Sequence, residues 1–250
     1  TISDYVPTAD PLQAPVTELT SPVVTQLSTG NPLPAPVVLT AADTPPGAAL
    51  EVLERYEGMR VTAASFTVVE GNLGNINEAN ATSTARNYFW ATITGVARPF
   101  REAGIEQPEP VLTCQAGAGC VIPVFDSNAE IFEITSTGQT GATLIDTSAG
   151  ATITGLVGPL DYTFRFWTIY PDPSPAPVVS GGAVPTAVSV PTTFEFTVGS
   201  WNLQRFFDTE NDPTLSEPVL TATAFANRLN KASLAIRNSR RAPSSPTRPV

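Results

Sequence analysis

Tyr88-Phe89-Trp90-Ala91-Thr92-Ile93-Thr94-Gly95-Val96 is the stretch that decides the fold class. It is dense in aromatic and β-branched side chains and bounded by turn residues, the composition of a strand half-buried on a pleated surface rather than of a helix. Working outward, Met59 to Val69 alternates loosely, and Ile131 to Thr135, Ala151 to Val157 and Tyr162 to Ile169 repeat the pattern. In the last of these, a period of two puts Phe164, Phe166 and Thr168 on one face and Arg165, Trp167 and Ile169 on the other. About five principal strands, long connections and a curved first strand predict a mainly β fold. The economical arrangement is an oligonucleotide/oligosaccharide-binding (OB) type, partly open β-barrel, with an immunoglobulin-like β-sandwich as runner-up.

The flanks are different in kind. Residues 1–50 are rich in Pro and Thr, with β-prone pieces at Val23 to Leu27 and Val37 to Thr40, and predict edge strands and covering loops. Ala48 to Tyr56 reads as a short helical turn that ends at Gly58. The β-rich domain is expected over 1–170, and the proline-dense stretch 171–193 as a stiff linker. Beyond it, Phe194 to Trp201 alternates like a strand. Pro218 to Asn238 carries Phe225, Leu229, Ala232 and Ile236 at helical spacing, with Ser216 as N-cap. A strand feeding a helix opens an α/β unit, here a truncated one over 194–238, because no second strand follows. Residues 239–250 hold three prolines and three arginines without an apolar run, and read as a disordered tail.

Acids outnumber bases 23 to 13, unevenly: residues 1–200 hold six Arg against 19 acids, and residues 201–250 seven bases against four acids. So acidic a β-rich part repels a phosphate backbone at long range, so any nucleic-acid contact has to be local. No apolar run approaches the roughly 20 residues that cross a bilayer, so a soluble chain without membrane contact is expected. It opens Thr-Ile-Ser with no signal-type segment, as if its natural start were missing or processed away. Lysine is nearly absent, histidine wholly absent, and Thr, Ala, Val and Pro abundant, a composition like that of extracellular bacterial β proteins. Cys114 and Cys120 bracket Gln-Ala-Gly-Ala-Gly, a loop small and flexible enough for a disulfide. Two buried thiols are the alternative, and a zinc site lacks the further Cys or His it would need.

Thr197-Val198-Gly199-Ser200-Trp201-Asn202-Leu203-Gln204-Arg205-Phe206-Phe207-Asp208 resembles the first motif of the endonuclease/exonuclease/phosphatase superfamily, in the form found in large secreted bacterial nucleases. Three upstream segments resemble the β domain that precedes the catalytic domain in those enzymes. They are Leu53-Glu54-Arg55-Tyr56-Glu57-Gly58-Met59-Arg60-Val61, Gly95-Val96-Ala97-Arg98-Pro99-Phe100-Arg101-Glu102 and Ile153-Thr154-Gly155-Leu156-Val157-Gly158-Pro159-Leu160-Asp161-Tyr162. The resemblance spans roughly residues 20–238. It implies a metal-dependent phosphodiester hydrolase, with Mg²⁺ or another divalent ion in the complete parent, nucleic acid as substrate, and Asn202 beside metal and scissile phosphate. The family's Glu ligand and its catalytic His and Asp residues have no counterpart here. The resemblance therefore implies a catalytically incomplete fragment that holds no cofactor, with unknown metal ligands and weak or no nucleic-acid binding of its own. The rival expectation is a non-enzymatic extracellular β module for adhesion or carbohydrate binding.

Other constellations are weaker. Glu70, Asn72, Asn75, Asn77, Glu78 and Asn80 do not keep EF-hand spacing and read as a polar hairpin loop, with a glycosylation sequon at Asn80. Tyr88, Phe89, Trp90, Phe164, Phe166 and Trp167 form either core or a platform for stacking bases. Asp208, Glu210 and Asp212 read as a solvated acidic turn near Asn202. Glu130 and Glu133 are a carboxylate pair whose separation the sequence does not give. Ser180-Gly181-Gly182-Ala183 lacks the Lys and the helix of a phosphate loop, and without His no Ser/His/Asp triad is possible.

Overall fold

The computed structural model describes residues 1–6, 15–45, 48–96, 129–164, 166–182, 187–189, 191–203 and 205–239. Cys114, Cys120 and the disulfide expected between them lie outside the described residues, as does the tail beyond Ser239. In chain order the strands are β1 (Ile2–Tyr5), β2 (Val16–Leu19), β3 (Val37–Leu39), β4 (Arg60–Ala63), β5 (Phe66–Glu70), β6 (Gly74–Asn77), β7 (Thr82–Ala85), β8 (Tyr88–Ile93), β9 (Phe132–Thr135), β10 (Ala151–Thr154), β11 (Val157–Thr163), β12 (Phe166–Ile169) and β13 (Val178–Gly181). A 3-10 helix covers Leu50–Tyr56, and among the described residues one α-helix, α1, covers Ala222–Asn238. The chain divides into two units, Thr1–Leu73 with Arg86–Ala183, and Gly74–Ala85 with Val184–Val250.

In the first unit, nine strands form one mixed sheet in the order β13-β10-β5-β8-β9-β12-β11-β4-β3. The pairs β3–β4 and β9–β12 are parallel and the others antiparallel. The mainly β character is as the sequence predicts. Among the described residues β13 and β3 remain edges, and no ring of strands closes. Period-two patterning explains the core: Phe66 and Val68, Phe89 and Ala91, Phe132 and Ile134, Leu160 and Tyr162, and Trp167 and Ile169 are all buried. Each such large side chain contributes about 1.5–3 kcal/mol by leaving water. Phe66 meets Phe132 edge-on with centroids 6.0 Å apart, and Tyr162 meets Trp167 at 5.0 Å. The helical turn expected near Ala48 to Tyr56 is the 3-10 helix, whose Leu53 is buried in this core.

Three strands read as continuous are broken. Met59 to Val69 splits into β4 and β5, and Ala151 to Val157 splits at Gly155, where φ is +70. Tyr162 to Ile169 is a hairpin: β11 ends at Thr163, which pairs with Phe166, the first residue of β12. Phe164, in the left-handed region at φ +49 and exposed, belongs to the turn and not to the strand face expected for it. The expectation for Phe166 and Thr168 opposite Trp167 and Ile169 holds within β12, while Arg165 lies outside the described residues.

The stretch expected as a linker is in part structural. β13 pairs with β10 along Ala151–Thr154, at a sheet edge where a proline-rich chain is tolerated. Before it, Asp172 is 7% exposed and takes Arg60 Nη2 at 2.5 Å and Nε at 3.2 Å, with Gln139 Nε2 at 3.1 Å on its other oxygen. Ser180 and Gly181, part of the glycine-rich run, belong to β13. Of the N-terminal pieces, Val37–Leu39 forms the edge strand β3, whereas Val23 to Leu27 forms no strand and its apolar side chains are exposed. The β1–β2 pair is a separate two-stranded sheet.

The second unit contains the β6–β7 hairpin and α1. The strand expected over Phe194 to Trp201 is not formed: Phe194, Phe196 and Val198 are 97%, 87% and 81% exposed in a segment without regular structure. A strand is stable only when a neighbour takes its backbone hydrogen bonds and covers its apolar face, and among the described residues none does. The expected helix is present but begins later, at Ala222, with Thr221 rather than Ser216 as N-cap; the Thr221 hydroxyl accepts the Ala224 N–H at 3.1 Å. Its inward face is also rotated from the expected one. Ala224, Phe225, Arg228 and Ala232 are buried or half-buried, whereas Leu229 and Ile236 are largely exposed.

Candidate functional site

Asn202 lies in the second unit on the exposed segment Trp201 to Leu203, at a cavity of about 420 Å³. Two other elements of that unit build the walls: the β6–β7 hairpin through Ile76, Thr82 and Ser83, and α1 through Arg228, Lys231 and Ala235. The hairpin turn is tied to the helix start by the Thr221 N–H, which donates to Ala79 O at 3.2 Å. Phe206 packs on Phe225 with ring centroids 5.7 Å apart, fixing the segment after Asn202 against the helix.

The charge around this cavity is one-sided. Arg205, Arg228 and Lys231 line it, and among the described residues no carboxylate does. Glu78, on the hairpin, sits behind the two arginines: its Oε1 takes Arg205 Nε, and its Oε2 takes Arg228 Nη2 at 3.2 Å. Arg228 Nη1 also donates to the Arg205 carbonyl. One carboxylate therefore orients two guanidinium groups and offsets part of their charge, and the Lys231 ammonium adds to the local field. Arg228 and Lys231, three residues apart, rise from one face of the helix. A divalent metal does not fit this lining, because three cations repel it and, among the described residues, its side-chain oxygens are the neutral ones of Asn202, Thr82 and Ser83, with no carboxylate to offset the ion's charge. The lining suits an anion with several acceptor oxygens.

The other candidate residues are accounted for structurally. Asp208 accepts the Glu210 N–H at 2.9 Å, and Asp212 accepts both the Thr214 hydroxyl at 2.7 Å and its N–H at 2.8 Å. These two bonds hold the Asp212 carboxyl below its usual range, so the acidic turn is a pair of local caps. Asn72 fixes the end of β5, donating to Arg86 O at 2.8 Å and Ile145 O at 3.0 Å while accepting the Thr147 N–H at 2.8 Å. Asn77 accepts the Asn80 N–H at 3.1 Å inside the β6–β7 turn, where Asn80 is exposed, and Asn75 stands in β6. Among the described residues, no three His, Cys, Asp or Glu side chains gather as a metal site. Nor is any helix there long and apolar enough to cross a membrane.

The aromatic set divides between two faces of the sheet. Phe89 and Trp167 are core, whereas Tyr88, Trp90 and Phe166 form a row on the opposite face, with centroids 5.5 Å and 5.8 Å apart. Register brings Trp90, Glu133, Thr168 and Asp161 side by side across four adjacent strands. Burial pushes the Glu133 carboxyl up against the hydrogen bond from the Thr135 hydroxyl, and raises Asp161 against the Tyr162 N–H. Burial and these two acids together raise the Tyr170 phenol. Glu130, the other member of the pair seen in sequence, is fully buried.

Arg205, Arg228, Lys231 and the hairpin wall were not legible as a site. The available signal was the excess of bases after residue 200, and it named no cavity because the hairpin lies more than a hundred residues upstream of the helix. No family model, no curated protein and no solved structure matches this chain.

Proposed function

We propose that the chain is part of an extracellular, divalent-metal-dependent nuclease or phosphodiesterase of the endonuclease/exonuclease/phosphatase type. The β-rich unit is then its OB-like accessory domain, and residues 194–238 the start of its catalytic domain. What carries this reading is that Trp201 and Asn202, in the segment most like the family's first motif, border a cavity lined by three cations and, among the described residues, no acid. Phosphodiester hydrolysis needs donors for phosphate oxygens, hard oxygen ligands for a metal, and a group that activates water. The cations and the Asn202 amide N–H supply donors, and the Asn202 amide oxygen is a single neutral ligand, too little for a metal site by itself. Metal ligands and proton-transfer groups would come from outside this sequence, which has no His.

Incubated with plasmid DNA and Mg²⁺, the purified chain is expected to show no cleavage above background; turnover abolished by Asn202→Ala would overturn its incompleteness. Reading the coding sequence past codon 238 in all frames should reveal an apolar strand ending in Glu, followed by His-containing motifs. Finding neither would remove the nuclease parent.

A second reading, a carbohydrate-binding β module, is favoured by the Tyr88–Trp90–Phe166 row beside the half-buried Glu133 and Asp161. Aromatic faces and carboxylate acceptors together suit a sugar ring. Retention on an oligosaccharide column that Trp90→Ala abolishes would support it over the nuclease reading.

A further inference from the structure

We infer that the cavity of the second unit takes one unpaired nucleotide of a single-stranded nucleic acid, its phosphate held by Arg205, Arg228 and Lys231 and its base against Trp201. The inference rests on the functional reading above in treating the Asn202 cavity as the substrate side. It adds which form of the substrate enters and which side chains of this chain hold it without a metal.

Charge supports the phosphate. The sequence carries a net charge of −10, yet this cavity presents three cations and, among the described residues, no acid on its walls. The acidic whole repels a polyanion at close approach and is screened beyond a Debye length, so attraction is confined to the site itself. The guanidiniums of Arg205 and Arg228 are held in place from behind by Glu78, so their orientation does not have to be fixed when a phosphate arrives. The Thr82 and Ser83 hydroxyls on the hairpin wall are further donors for phosphate or sugar oxygens.

Shape selects the single strand. A cavity of about 420 Å³ is of small-ligand size, and its walls come from a hairpin, an irregular segment around Trp201 to Leu203 and a helix. A duplex keeps its bases stacked inside two backbones and cannot place one nucleotide within such walls, whereas a single strand turns a base out freely. Trp201, 44% exposed and lining the cavity, offers an indole on which an unpaired base stacks.

The test uses the full chain in EDTA at low salt, with fluorescein-labelled oligo-dT read by fluorescence anisotropy and unlabelled duplex and inorganic phosphate as competitors. Oligo-dT should bind, phosphate should compete, and a duplex of equal length should bind about tenfold more weakly or worse. Lys231 is exposed and has no ion pair among the described residues, so Lys231→Glu should leave the circular dichroism spectrum unchanged. It should also weaken binding about tenfold and flatten the salt dependence. Trp201→Ala should weaken binding with the salt dependence unchanged. Absence of binding, equal binding by a folded Lys231→Glu, or a duplex bound as tightly as the single strand would each overturn the proposal. Metal-dependent cleavage by the complete gene product separates the two ideas. Binding without that cleavage leaves the cavity and removes the nuclease, and cleavage without this binding does the reverse.

Discussion

Glu133 stands on the half-exposed side of the sheet, beside Trp90 on one strand and Thr168 on the other, with the Thr135 hydroxyl donating to its Oε1 at 2.8 Å. Burial disfavours its charged form, so the folded-state pKa lies above the ordinary value of 4.5. A carboxyl raised on folding binds its proton more tightly in the native state, so stability falls as pH rises from that ordinary value through the raised one. Above that window the cost is fully present, and below it the cost is gone. Glu133→Gln keeps an acceptor for Thr135 and removes the titration. Urea denaturation should therefore show the variant more stable than the parent at pH 7, with the advantage gone at pH 3. An advantage that persists at pH 3 would show that packing, not ionisation, is responsible. Asp161 shares the cause and direction but receives the Tyr162 N–H at 3.0 Å, which an Asn in its place can still accept.

Helix α1 shows how an element takes its ends from one side chain and its orientation from its neighbours. Helical spacing from Phe225 to Ile236 was legible, because apolar residues three and four apart mark a helix in any context. Its start was misplaced by several residues. Ser216, Thr221 and Pro218 all fit a helix entrance, and the choice fell to Thr221 once Leu220 was buried with its N–H on Asp208 O at 2.8 Å. Thr221→Ala removes the acceptor for the Ala224 N–H and should cost about 1 kcal/mol. Hydrogen exchange should show it as faster exchange at Ala224 and its neighbours, with the first unit unaffected. Which face turns inward was not legible, since Glu78 on a distant hairpin captures Arg228 and brings it in with Phe225. The β11–β12 hairpin failed for a related reason. Short hairpin turns usually announce themselves by Gly, Asn or Asp, and Phe164 instead continues the apolar alternation straight through the turn.

For the molecule as a whole, the division into units crosses the order of the sequence. A proline-rich segment expected to lie between domains is pinned into the first unit by Asp172, whose partner Arg60 is 112 residues away. Removing one member of a largely buried pair strands the other charge, so Arg60→Ala should lower the stability of the first unit by about 3 kcal/mol, read as a drop in its urea midpoint. A loss of only a few tenths would show that Gln139 and solvent suffice for Asp172.

The sequence by itself determined what depends on local chemistry. Alternating aromatic and β-branched residues made the chain mainly β, apolar spacing made one helix near its end, and the small loop-type roles of Asp208 and Asp212 followed from turn propensity. Asn202 was singled out by its motif alone. Only the tertiary structure decided which strands pair, that β13 belongs to the sheet, that Phe194 to Trp201 has no strand partner among the described residues, and that the hairpin of residues 74–85 joins Trp201 to Leu203 and α1 around a basic cavity. Those outcomes rest on contacts between positions scores of residues apart. Burial, pairing and a concentration of charge such as that of Arg205, Arg228 and Lys231 exist only once the chain has brought such positions together.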